Sequence, residues 1–115
     1  MKNIKELTEE YFKAFSSKNK EKLRELYAED FSLRDWLSEV KGRERVLDLN
    51  QKFFDAYQRL DLEILSIYVD GNTTASEIAL SIDDPLEGTK RLLIVDVIEF
   101  SEDGKMKDLR AYFGS

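Results

Sequence analysis

One stretch of this sequence invites chemistry before any other. In Leu92-Leu93-Ile94-Val95-Asp96-Val97-Ile98 a single carboxylate sits inside an otherwise apolar run. If the run is a strand, alternation puts Asp96 on the face of Leu92, Ile94, Ile98 and Phe100 and leaves Leu93, Val95 and Val97 on the other, so neither face reads as solvated. An ionised carboxylate there lacks water. It must be protonated, paired with a cation or hydrogen bonded, and desolvation drives its pKa upward. Two readings stay open: a structural acid satisfied by backbone or by an arginine, or an acid held neutral so that it donates a hydrogen bond. A second carboxylate, Asp35, falls at the end of a short strand pattern, where it is either a turn-capping residue or a functional group. Glu77, with small neighbours Ala75, Ser76 and Ala79, either faces solvent or makes an interior more acidic.

The inventory narrows what such carboxylates can do. The chain has neither Cys nor His, which removes disulfides, thiol nucleophiles, zinc fingers and imidazole bases. Acid–base work is left to carboxylates, tyrosines or lysines. Eighteen basic against 24 acidic residues give a net charge of −6, a surface that repels phosphate backbones and argues against a nucleic-acid partner. The opening residues are charged every few positions, unlike a signal peptide, and no apolar run approaches the roughly 18 residues of a spanning helix. A cytoplasmic protein without membrane contact is the default expectation. With 115 residues, 42% of them hydrophobic and 11% aromatic, the chain is expected to form one domain, 1–115, around one core.

The elements that must position these groups follow from periodicity. Asn3 and Glu6 form a capping box ahead of Ile4, Leu7, Tyr11, Ala14 and Phe15, which predicts an amphipathic helix to about Ser17. Asn19 caps a shorter second helix with Leu23, Leu26 and Tyr27 on its apolar side. Phe31, Leu33 and Asp35 alternate with polar residues in a short strand, and Trp36-Leu37 leads into a loop ending at Gly42. Helical spacing returns from Arg43 to about Tyr57. Four strands then follow, Leu60 to Val69, Thr73 to Ile82, Lys90 to Phe100 and Lys105 to Phe113, separated by turns at Asp70-Gly71-Asn72, Asp83 to Gly88 and Ser101 to Gly104. Three helices before an antiparallel meander make an α+β layout.

At this point the sequence resembles the nuclear-transport-factor-2-like superfamily, and within it the ketosteroid isomerases and the SnoaL-like, polyketide-cyclase-like proteins. The resemblance spans nearly the whole chain. Its most specific part is Asp96-Val97-Ile98-Glu99-Phe100, then Asp103-Gly104-Lys105 and Leu109-Arg110-Ala111-Tyr112-Phe113-Gly114, which looks like the isomerase C-terminal hairpin. Tyr11, the Tyr27-Ala28-Glu29-Asp30 stretch closing the second helix, and Asp35 keep isomerase-like spacing. The resemblance implies a cone-shaped fold, with three helices packed on a curved, mainly antiparallel sheet that encloses a pocket. It also implies roles: Asp35 as general base, and Tyr11 with a protonated Asp96 as donors to an oxyanion. Ketosteroid isomerase is itself the standard example of a carboxylic acid kept neutral by an apolar site, so that explanation comes with the resemblance.

The chemistry so implied is cofactor-free and metal-free: a proton is taken from the carbon beside a carbonyl, the dienolate is stabilised, and the proton returns elsewhere. The ligand would be a small hydrophobic carbonyl or phenolic compound, with Trp36, Glu77, Leu109 and Phe113 bordering it. The sequence departs from the isomerase pattern after Asp35, where Trp36 replaces the proline and the path to Gly42 is shorter. Trp36 is then a stacking wall for a flat ligand or a plug that fills the space, and buried aromatics more often pack. The apolar strip Leu93, Val95 and Val97 needs a cover, which points to a homodimer through the sheet. Because one fold hosts many activities, the alternative is a non-catalytic ligand-binding or protein-interaction module.

Overall fold

A computed structural model describes residues 2–115. Its order is α1 (Ile4–Ser16), α2 (Lys20–Leu26), β1 (Tyr27–Arg34), β2 (Glu39–Lys41), α3 (Arg43–Ala56), β3 (Leu60–Asp70), β4 (Thr73–Asp84), β5 (Gly88–Phe100) and β6 (Met106–Phe113). Helix α1 starts where the capping box places it: Asn3 Oδ1 accepts from the Glu6 amide at 2.9 Å, and Asn3 Nδ2 donates back to Glu6 Oε1 at 3.2 Å. Asn19 caps α2 in the same way through the Lys22 amide. The aromatic residues that α1 turns inward meet α3, with Phe15 edge-on to Phe54 at a centroid distance of 5.1 Å and 5.7 Å from Phe53.

The six strands form one sheet in the order β2-β1-β6-β5-β4-β3. All neighbours are antiparallel except β1 and β6, which run parallel, with Leu33 beside Leu109 and Arg34 beside Arg110. The sheet is therefore mixed, and its one parallel joint links the segment after α2 to the last strand. Alternation along β5 is as the sequence predicts: Ile94, Asp96, Ile98 and Phe100 are buried, while Leu93, Val95 and Val97 are half-buried on the outer face.

Two segments differ from expectation. Tyr27 to Asp30 does not close the second helix but opens β1, because Tyr27 is already extended (φ −78°, ψ 136°) and its ring stacks on Phe31 at 4.2 Å. Stacked partners four residues apart fit one end of a bulged strand, and the register between β1 and β6 does shift between Tyr27 and Ser32. The loop toward Gly42 contains a short strand, β2, that folds back on β1. Gly42 follows it at φ +99°, a conformation that favours glycine, and turns the chain into α3.

The junction after α1 clamps α3. Lys18 adopts a left-handed conformation (φ +57°), and its Nζ donates to the carbonyls of Phe54, Tyr57 and Gln58 at 3.0, 2.6 and 3.1 Å. Those carbonyls include unpaired ends of a helix, where a cation is favoured. Replacing Lys18 by Met keeps the stem and removes the ammonium. The expected loss is about 1–2 kcal/mol, read as a lower urea midpoint with an unchanged m-value.

Candidate functional site

Asp96 sits mid-strand in β5, flanked in register by Ser76 of β4 and Ala111 of β6. Neither neighbour answers its charge. The carboxyl is 6% exposed, and burial pushes its pKa up to about 7, with the charge of Asp35 adding to the rise. No cation or hydrogen bond among the described residues offsets this. The two cations that could have paired with it are engaged elsewhere: Arg110 with Glu99 and Asp108, and Lys90 with Glu87. Ser76, fully buried, leaves its hydroxyl without a partner as well.

Asp96 lines a hollow of about 390 Å³ between α1, α3 and the inner face of the sheet. Tyr11, Phe12 and Phe15 of α1 form one side, Leu49, Asn50, Phe53 and Ala56 of α3 another, and Leu33, Ile78, Leu80, Ile94 and Leu109 of the strands the floor. The wall is mostly apolar. Tyr11 is 4% exposed, and burial holds its phenol well above the ordinary range, with Tyr27 and Asp96 reinforcing the shift. Both tyrosines therefore stay protonated at any ordinary pH. Tyr27 donates to Asn50 Oδ1 at 2.8 Å.

Asp35 lies one residue beyond β1 and borders the same hollow. One of its oxygens, Oδ1, accepts from the Leu37 and Ser38 amides at 2.8 and 2.7 Å, and its own amide donates to the Ser38 carbonyl at 2.9 Å. It is thus the capping residue of a tight turn, the plainer of the two readings of its sequence position. The same turn fixes the carboxylate plane and leaves Oδ2 without a backbone partner. Structure therefore brings Tyr11, Asp35 and Asp96 to one hollow.

The four residues expected around the ligand divide. Leu109 lines the hollow. Trp36 borders it but does not fill it: the indole is 46% exposed and packs on Phe113 at 5.2 Å. Phe113 itself lies outside the lining, as a support for Trp36. Glu77 is on the outer face of β4, exposed and accepting from Ser66 Oγ at 2.9 Å. Its flanking residues Ser76 and Ile78 are buried, so alternation turns Glu77 the other way. Sequence reading passed over Asn50 and Tyr27. The available signal was the one that marked Asp96: a polar side chain on an apolar stripe, here among Val46, Leu47, Phe53 and Phe54.

The fold and this arrangement define a class. The chain belongs to the SnoaL-like domain family, of the nuclear-transport-factor-2-like superfamily, whose sequence profile matches residues 8–109. No protein of curated function matches it in sequence. Among solved structures it is similar to a candidate SnoaL-like polyketide cyclase from Shewanella denitrificans, with TM-score 0.87, 14% identity, and 96% of this chain and 90% of the other covered. A candidate ketosteroid isomerase from Kribbella flavida has TM-score 0.84 and 21% identity, with 97% and 78% covered. An epoxide hydrolase of the LEH-like type from M. tuberculosis has TM-score 0.82 and 17% identity, with 95% and 80% covered. Three differently named activities on one backbone leave the chemistry to the side chains.

The raised pKa of Asp96 makes a stability prediction. Between the ordinary value near 3.8 and about 7, the folded state holds a proton that the unfolded state has released, so stability falls as pH rises through that window. The loss approaches about 4 kcal/mol once pH exceeds the folded value. Asp96→Asn should abolish this slope. Urea midpoints measured on both proteins below and above the window should converge in acid and favour the variant in base.

Proposed function

We propose that this protein is a cofactor-independent enzyme of the ketosteroid-isomerase type, which moves a proton alpha to a carbonyl on a small hydrophobic compound. The hollow is its substrate pocket within a cone-shaped domain. One observation carries the reading: a buried carboxyl with no cation to balance it faces the same apolar space as a buried phenol and a turn-bound, partly exposed carboxylate. Such a carboxyl is best kept protonated. A neutral acid and a phenol are two donors for one developing oxyanion, in surroundings where water does not screen them.

In this mechanism Asp35 Oδ2 takes the proton from the carbon beside the carbonyl. The C–H electron pair moves into the carbon–carbon bond, and the carbonyl pair moves onto oxygen. Tyr11 and Asp96 donate hydrogen bonds to that oxygen, and Asp35 returns the proton to the same or a conjugated carbon. The turn amides on Oδ1 orient the base and leave Oδ2 toward the substrate. An aspartate whose oxygen caps a turn also fits the alternative, a non-catalytic binding protein for phenolic or carbonyl ligands, and the assay below separates the two. Trp36, propped by Phe113, would form the wall against which a flat ligand lies.

A further partner is a second copy of the chain. Leu93, Val95 and Val97 sit at the centre of the outer sheet face beside exposed Tyr68 and Tyr112, and a homodimer through this face would cover them. Light scattering should then give twice the 13.5 kDa chain mass, and Val95→Lys should give the monomer with its fold intact.

A steady-state assay with a Δ5-3-ketosteroid tests the activity. Turnover above buffer is expected, and Asp35→Asn or Asp96→Leu should each lower kcat by about 10²–10³-fold. Activity should decline as pH rises past about 7, because Asp96 then loses its donor proton, and Asp96→Asn should remove that decline. Absence of turnover together with phenol binding that strengthens with phenol acidity would leave the binding reading. Indifference to phenol acidity would remove the oxyanion site altogether.

A further inference from the structure

The same hollow contains a donor that the proposed reaction does not use. Asn50 lies mid-way along α3 among apolar neighbours and is 5% exposed, yet it lines the hollow. A carboxamide buried in such company must satisfy both of its ends. Its oxygen is satisfied: Oδ1 accepts from the Tyr27 hydroxyl at 2.8 Å. Its nitrogen is not, because no acceptor among the described residues takes either N–H, and Nδ2 is not sealed off in the way the Ser76 hydroxyl is.

The orientation of the amide follows from the phenol beside it. Tyr27 has one proton, and its hydroxyl places that proton on the amide at 2.8 Å. Of the two ends of a carboxamide, only the oxygen can receive a phenol's proton. The two N–H groups are then left for the hollow.

We propose that Asn50 Nδ2 is a substrate-recognition donor, and that the natural ligand carries a second acceptor oxygen, a ketone, ester or hydroxyl, besides the carbonyl that is enolised. This rests on the function proposed above. The donors Tyr11 and Asp96 come from α1 and β5 and Asn50 from α3, so two oxygens on one ligand are gripped from different elements. One oxygen fixes a point; two fix an orientation. A site built to hydrogen-bond a second oxygen discriminates against analogues that lack it, because the buried N–H is then unpaired.

The test uses two-ring phenols that share one skeleton. The 5-, 6- and 7-hydroxy-1-tetralones carry a phenol and an acceptor-only carbonyl, and 5,6,7,8-tetrahydro-2-naphthol carries the phenol alone. Calorimetric titration is done on the native protein, on Asn50→Leu and on Asn50→Asp, the last of which keeps an acceptor for Tyr27 while losing the N–H donors. At least one tetralone should bind about 10-fold or more tighter than the naphthol to the native protein, and both variants should weaken that preference several-fold, leaving only the part that the acyl group supplies by making the phenol more acidic. Circular dichroism and naphthol affinity show whether each variant remains folded. A preference undiminished in a folded variant, or no preference with any isomer while the naphthol binds, overturns the inference and leaves the proposed function standing. Failure of the naphthol itself to bind the native protein between about pH 5 and 9 would instead remove the oxyanion site and this inference with it.

Discussion

The desolvation of one carboxyl governs the interior of this protein. Asp96 occupies the centre of β5 where an aliphatic residue would pack without cost, and none of the described residues pairs a positive charge with it. Burial raises its pKa to about 7, so the neutral form is favoured below that value and some stability is lost above it. The rest of the hollow is consistent with that condition. Its walls come from Phe, Leu and Ile side chains of both helices and five strands, which keep water, and so competing hydrogen bonds, away from the acid. Asp35, the other carboxylate, sits in different surroundings, half-buried on a turn where two backbone amides bond one of its oxygens.

Much of this frame was legible from the residues. Capping signals at Asn3 and Asn19 located the helices because such caps are local hydrogen bonds, independent of the rest of the fold. The apolar run around Asp96 disclosed both its strand and its face, since alternation in a sheet is a geometric necessity. The Tyr27 to Asp30 stretch has a composition that suits a helix end, whereas in the fold Tyr27 pairs with Met106 on a strand far along the chain. Strand β2 was missed for a related reason: three residues carry too little pattern to be seen without their partner.

Within the site, legibility depended on how unusual each residue was for its setting. An acid in a greasy strand stands out, and so would an amide on an apolar helix face, which is why Asn50 could have been found and was not. Glu77 misled because small neighbours suggest a lining, while the buried state of Ser76 and Ile78 on either side fixes it outward. Trp36 was unreadable in isolation, since its position is set by Phe113. The resemblance to isomerases supplied roles for Tyr11 and Asp35 that neither residue declares by itself, and the similar solved structures share only the backbone at this level of identity.

The parallel joint between β1 and β6 has a bearing on how the molecule comes into being. Because the sixth strand is the only neighbour of β1 other than the three-residue β2, the early half of the polypeptide leaves the ribosome with one edge unclosed and waits for the late half. Asp35 and Trp36 hang from that edge, whereas Leu109, Ala111 and Phe113 arrive with the closing strand. Without β6 the hollow would lack Leu109 and Ala111 from its lining and β1 its long partner, so the pocket is completed only when two segments far apart in the chain pair.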